Sequence, residues 1–208
     1  MSDKPTENAA VEEKPVEVKH FLEIETKYDG NSIDRLEFKA LASSLNPKSF
    51  LYVESDDIYY VKSENEFLRY RRPPSDKSTE RAELTFKKKH VSSNNNVRTE
   101  VNLRIDWNSQ ETVAAFCEGM GYALNFSIFK MCDIYYFDDA NIVYYSVINK
   151  DKKTSNFLEI ECNEDAGFTQ EESWAIILKY EKLLSPLGIN AQKRKKLSLF
   201  EMYKKDVK

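Results

Sequence analysis

Alternation of apolar and charged positions dominates this chain. Residues 21–28, Phe-Leu-Glu-Ile-Glu-Thr-Lys-Tyr, place Glu23, Glu25 and Lys27 in one row and Leu22, Ile24 and Thr26 in the other, because successive side chains of a strand point to opposite faces. Taken alone, such a row is more often a wet sheet surface than a binding site. The same device recurs. Glu66–Arg72 sets Arg69 and Arg71 against Leu68 and Tyr70, and the strand expected over Arg81–His90 sets Thr85, Lys87 and Lys89 against Leu84, Phe86 and Lys88. Val97–Asp106 sets Arg98, Glu100, Asn102 and Arg104 against Val97, Thr99, Val101, Leu103 and Ile105. Phe157–Glu161 then repeats the opening idea, with Glu159 and Glu161 opposite Leu158 and Ile160.

Further strands are expected over Phe50–Glu54 and Asp57–Lys62, separated by a short polar step, and over Asn125–Phe137 and Ile142–Asn149. Pro73–Ser78 and Ser92–Asn96 read as loops. Helical spacing appears in three places. Asp34–Leu45 offers Leu36, Ala40, Leu41 and Leu45; Asn108–Met120 offers Val113, Phe116, Cys117 and Met120, with Asn108 as the cap and Gly121 as the stop. The third opens on the capping box Thr169/Glu172 and runs through Trp174, Ile177, Leu178, Leu183 and Leu184 to Pro186 and Gly188. A basic helix over Ala191–Tyr203 closes the chain; its Lys193–Lys196 run is of a kind more often found on a solvated face than in a nucleic-acid patch.

The element order implies an α+β protein of about eight or nine mostly antiparallel strands. If that sheet closes, helices cover the apolar faces and the charged rows line a lumen. Charge buried at such density is tolerable only when paired or bound to ions. A divalent metal on the carboxylates and a polyanion on the cations would satisfy both sets.

Composition narrows the rest. The 208 residues carry 31 Lys+Arg against 35 Asp+Glu, a net charge of −4, so an anion site must be local rather than a whole-molecule field. Three cysteines, Cys117, Cys132 and Cys162, form neither an even disulfide set nor a metal-ligand spacing. No apolar run is long enough to span a bilayer and no signal-peptide core is visible, which leads to the expectation of a soluble, cytoplasmic protein. Residues 1–19 lack aromatic side chains and read as a disordered tail ahead of one domain, 20–208.

The ordered set Glu23-x-Glu25-x-Lys27, Asp57-Ile-Tyr-Tyr60, Leu68-Arg-Tyr-Arg71, Thr85-x-Lys87, Arg98-x-Glu100, Lys130, Glu159-Ile-Glu161 and Lys196-x-Ser198 resembles the CYTH superfamily of triphosphate tunnel metalloenzymes over residues 20–203. The resemblance implies an eight-stranded antiparallel tunnel binding a small-molecule triphosphate with Mg²⁺ or Mn²⁺. It implies Glu23, Glu25, Glu100, Glu159 and Glu161 as metal ligands, and Lys27, Arg69, Arg71, Lys87, Arg98 and Lys130 as phosphate contacts. Glu25, Glu161 and Lys27 would carry the chemistry. Hydrolysis of inorganic, nucleoside or thiamine-like triphosphate is the leading expectation; a nucleotidyl cyclase or a non-catalytic triphosphate-binding protein on the same scaffold are the alternatives. No membrane or nucleic-acid partner is expected, and oligomeric state is open. The chain departs from the pattern at Cys132, where a second cation is usual, at Asn102, where an acid is usual, and around Tyr144–Ile148, which lacks an acid.

Overall fold

The computed structural model describes residues 22–74, 82–89, 97–106, 108–163 and 167–205. The expected tail over 1–19, the loop beyond Pro74 and the loop over Ser92–Asn96 lie outside them. Among the described residues nine strands and four α-helices follow one another as β1 (Leu22–Asp29), α1 (Arg35–Ser44), β2 (Ser49–Ser63), β3 (Glu66–Arg72), β4 (Glu83–Lys89), β5 (Val97–Arg104), α2 (Gln110–Gly119), β6 (Ala123–Tyr136), β7 (Ala140–Ile148), β8 (Thr154–Cys162), α3 (Gln170–Leu183), β9 (Arg194–Lys195) and α4 (Leu199–Tyr203).

Eight of the strands form a closed antiparallel barrel in the order β5-β4-β3-β2-β6-β7-β8-β1, with β1 also pairing β5 to complete the ring. Strand β1 makes that closure by dividing its length. Residues 25–29 pair with β8, residues 22–24 pair with β5, and residues 27–28 receive the short outer strand β9. The break expected at the polar step near Ser55 is absent: β2 is continuous over fifteen residues, because β6 pairs with it from Ser49 to Val61 and carries it across that step.

Helices α1 and α3 cover one outer flank, packing Phe38, Ala42, Ile177, Tyr180 and Leu184 against Ile24, Ile142, Tyr144, Leu158 and Ile160. Helix α2 covers another, setting Val113 and Cys117 over Ile58, Tyr60, Leu68, Tyr70 and Leu84. The buried stripe of each helix is narrower than its sequence suggests. Leu36 is 76% exposed, Phe116 53%, Met120 54% and Leu178 50%. A straight helix laid on the convex outside of a barrel touches it along one line, so positions four apart are buried and their neighbours on the flank are not.

The caps also depart in detail. Ser109, not Asn108, caps α2, accepting from the Thr112 amide. Gly121, at φ 82°, takes the left-handed turn after it as expected. The Thr169/Glu172 box opens α3 as expected. The basic helix over 191–203 is replaced by a single turn, strand β9 and the short α4, which starts on an unforeseen box of Ser198 and Glu201. Pairing with β1 overrides helix propensity there: Arg194 forks onto Glu181 at 2.7 and 3.0 Å, and Lys195 meets Asp29 at 2.6 Å. Among the described residues no helix is long and apolar enough to cross a membrane.

Phe38 is fully buried and stacked on Tyr144 at 5.3 Å. Phe38→Ala is expected to cost about 3–5 kcal/mol of unfolding free energy, read by urea denaturation; a cost below about 1 kcal/mol would show that α1 is not a structural component of the barrel wall.

Candidate active site in the barrel lumen

The lumen holds a cavity of about 240 Å³, and all eleven residues singled out from the sequence line it. They arrive from six strands: Glu23, Glu25 and Lys27 from β1, Arg69 and Arg71 from β3, Lys87 from β4, Arg98 and Glu100 from β5, Lys130 from β6, and Glu159 and Glu161 from β8. The alternation read from the sequence therefore does bring these eleven side chains to one cavity, while Asn102 and Arg104, farther along the β5 row, are exposed. Register brings the rows together, with Glu25 opposite Glu161, Lys27 opposite Glu159, Glu23 opposite Arg98, and Lys87 opposite Glu100.

Inside, cations and carboxylates interlock. The Lys87 ammonium donates to both oxygens of Glu23 at 2.8 and 2.7 Å and lies 2.5 Å from Glu100. Lys27 stands against Glu159 and reaches Glu25 at 3.5 Å, while Arg98 is 3.6 Å from Glu25. Burial pushes the Glu25 carboxyl up, but Lys27 and Arg98 outweigh it and hold it at about 2. Burial likewise raises Glu100, and Lys87 and Arg69 bring it well below the usual range.

Two carboxylates go the other way. Burial, with the Glu25 and Glu100 charges nearby, pushes Glu161 up to about 8. Burial also raises Glu23 well above normal; Lys87 opposes this, and Glu25, Glu100 and Glu161 reinforce it. No hydrogen bond or ion pair among the described residues holds the Glu161 carboxyl. The acidic half of the lumen thus holds more carboxyls than its cations keep ionised.

Lys130 is the converse case. It is 6% exposed, has no carboxylate within ion-pairing distance among the described residues, and lies over the Tyr145 ring at 4.1 Å. Burying an ammonium against only a ring face is costly unless an anion is meant to reach it.

Three partners escaped the sequence reading. Asp57, fully buried, takes a bidentate pair from Arg71 at 2.8 and 2.8 Å and thereby fixes its direction. Alternation puts Asp57 on the Tyr59 face of β2, but only the strand register sets it opposite Arg71. Glu83 lies 3.6 Å from Arg69. Tyr145, on the strand that lacks an acid, donates its hydroxyl to Glu159 at 2.8 Å. Burial and that carboxylate keep the phenol far above its usual range and hence neutral.

The departures from pattern also find places. Cys132 is buried in the lumen, whereas Asn102, the register partner of Thr85, is exposed toward the end of β5. The expectation that charged faces alone line the lumen needs correction. Tyr59, Phe67, Phe126, Ile128, Val143 and Phe157 form an apolar cluster inside the barrel, and Leu199 and Phe200 of α4 pack into it, Phe200 stacking on Phe67 at 4.3 Å. The charged cavity therefore rests on an aromatic floor that excludes water from one side.

Comparison with known proteins bears on the fold. No family model matches the sequence, and no curated protein matches it. A solved protein of Pyrococcus horikoshii superposes with TM-score 0.69 at 20% identity, over 88% of this chain and 99% of its own. A Vibrio parahaemolyticus protein provisionally named as an adenylate cyclase gives 0.61 at 15% identity, over 88% and 98%. A chain of the Schizosaccharomyces pombe Mediator head module gives 0.57 at 15%, over 79% and 95%. These likenesses show a shared fold, the closed eight-stranded barrel that the resemblance to the CYTH superfamily implied.

The raised Glu161 has a signed consequence. Its native pKa, about 8, lies above the unfolded value of 4.5, so between those values the native state holds the extra proton and stability falls as pH rises. Glu25 and Glu100 are ionised in both states across that window, while Glu23, also raised, adds to the decline in the same direction. Glu161→Gln is expected to flatten the decline between pH 5.5 and 8 in urea titrations; an unchanged slope would show that Glu161 is not the group responsible.

Proposed function

We propose that this chain is a divalent-metal-dependent hydrolase of a triphosphate, which it binds inside the barrel. The observation that carries the reading is the convergence of six cations and five acidic ligand candidates on one cavity of about 240 Å³ in the lumen. That volume is below the range usual for sites enclosing a whole drug-sized ligand. It suits a phosphate chain in the lumen, with any organic group held toward the mouth.

Charge counting supports a metal. Lys27, Arg69, Arg71, Lys87, Arg98 and Lys130 face Glu23, Glu25, Glu83, Glu100, Glu159 and Glu161 in the cavity, with Asp57 behind Arg71. Among the described residues six cations face seven carboxyls, of which Glu161 keeps its proton near neutral pH, so the lumen is close to neutral and offers far less positive charge than a triphosphate carries; the triphosphate then enters with cations of its own. The donor set fits a hard ion, since every candidate ligand is a carboxylate oxygen. Among the described residues no three acidic side chains already converge on one point, and the ammoniums of Lys27 and Lys87 stand between the acids. Phosphate oxygens offer those ammoniums other partners, which frees Glu23, Glu25, Glu159 and Glu161 as ligands. A bound Mg²⁺ or Mn²⁺ would supply charge neutralisation and an activated water for in-line attack. Lys130 and Arg71 would hold the phosphate chain, Asp57 keeping Arg71 aimed and Tyr145 orienting Glu159.

The test is turnover of tripolyphosphate and ATP with Mg²⁺ or Mn²⁺, with products resolved. Orthophosphate release is expected; cyclic nucleotide would instead identify a cyclase, and binding without turnover a binding protein. Glu25→Ala is expected to lower kcat/KM by at least about a hundredfold, and full activity in that variant would remove the metal assignment.

Lys130→Met probes the phosphate side cleanly, since no carboxylate among the described residues is orphaned by it. It is expected to raise KM by roughly tenfold or more, the worth of one charged hydrogen bond, without loss of thermal stability. An unchanged KM would take Lys130 out of the site.

A further inference from the structure

Strand β2 is longer than its neighbour. Residues 49–61 pair with β6 on one side, but β3 begins pairing only at Asp56. Ser49–Ser55 therefore presents a bare edge of seven residues among the described residues, about 23 Å long at strand rise. Exposed edges of this length are normally blunted by proline, lysine or a bulge. This one has no proline and no lysine, and it carries three consecutive large apolar side chains in the open: Phe50 (47% exposed), Leu51 (43%) and Tyr52 (41%).

We propose that this edge is a dimerisation surface, on which the β2 edge of a second copy of the chain pairs antiparallel about a twofold axis at Tyr52. Tyr52 is the midpoint of the bare stretch, and only that register pairs all seven residues, matching Phe50 with Glu54 and Leu51 with Val53 of the other copy. Charge complementarity favours the same register. Lys39 of α1 lies over the Phe50 ring, 5.5 Å from its centre, and is about one-third exposed while pairing with the buried Asp133 at 3.0 Å; Glu54, which accepts from the Tyr52 hydroxyl at 2.6 Å, has its second oxygen for a further partner. Cross-strand neighbours have Cβ atoms about 5 Å apart, so Glu54 of one copy comes within reach of Lys39 of the other, twice per dimer. The interface is self-complementary, as a twofold contact must be. The proposal is independent of what the lumen binds.

A contact of one strand edge is small beside the roughly 1,600 Å² of a standard stable interface, so a reversible dimer at micromolar concentration is expected. Sedimentation velocity over a concentration series should show the 24.3 kDa monomer giving way to a species of twice that mass. Leu51→Lys and Glu54→Lys should each hold the chain monomeric with an unchanged circular dichroism spectrum. A wild type that stays monomeric at every concentration would overturn the proposal. So would a dimer indifferent to Leu51→Lys and Glu54→Lys.

Discussion

The structure depends on keeping charges of both signs inside a closed barrel with most of them paired. Lys87 is the centre of that arrangement. Its ammonium bridges Glu23 on β1 and Glu100 on β5, and it does so close to the seam where β1 and β5 close the ring. Removing one partner of such a buried pair costs far more than the pair contributes, because the other is left uncompensated. The same constraint sets Asp57 behind Arg71, Tyr145 beside Glu159, and a raised pKa on Glu161. Each is a way of limiting net charge in a space that water reaches only from the mouth.

The arrangement is stable but not saturated. Lys130 has only a ring face, and Glu161 holds a proton that an ordinary carboxyl would have lost. These two are the electrostatic deficits of the lumen, one on each side of the charge balance. On the proposed function a polyanion would satisfy the first and a hard cation the second, so that each ligand would help the other to bind. Linkage of this kind requires no conformational change, only that each ligand lowers the charge cost of the other. The aromatic floor around Phe67 and Phe200 would strengthen both interactions by lowering the local dielectric.

The inward rows were legible in the sequence because strand periodicity is rigid. Once Glu23, Glu25 and Lys27 share a face in β1, a closed barrel puts them in the lumen, and the recurrence at Glu159 and Glu161 showed which face was inward. What sequence could not show was the pairing between strands. That Asp57 belongs with Arg71, or Tyr145 with Glu159, follows from register and neighbour order, neither of which appears in one strand's pattern. The helices were misread for a related reason. Leu36, Phe116 and Met120 fit a helical stripe, yet a convex barrel accepts only one line of contact. Around 191–203, edge pairing with β1 and ion pairs to Glu181 and Asp29 outweighed a helical composition.

The central claim is that the lumen, near electroneutrality by itself, takes a triphosphate only together with a divalent cation. Calorimetric titration of tripolyphosphate into the protein, with Mg²⁺ or Mn²⁺ present and again with EDTA, tests it most directly. The account predicts tight binding with the metal, a loss of at least about a hundredfold in affinity without it, and protons released on binding near neutral pH as Glu161 ionises. Equal affinity in EDTA would contradict it.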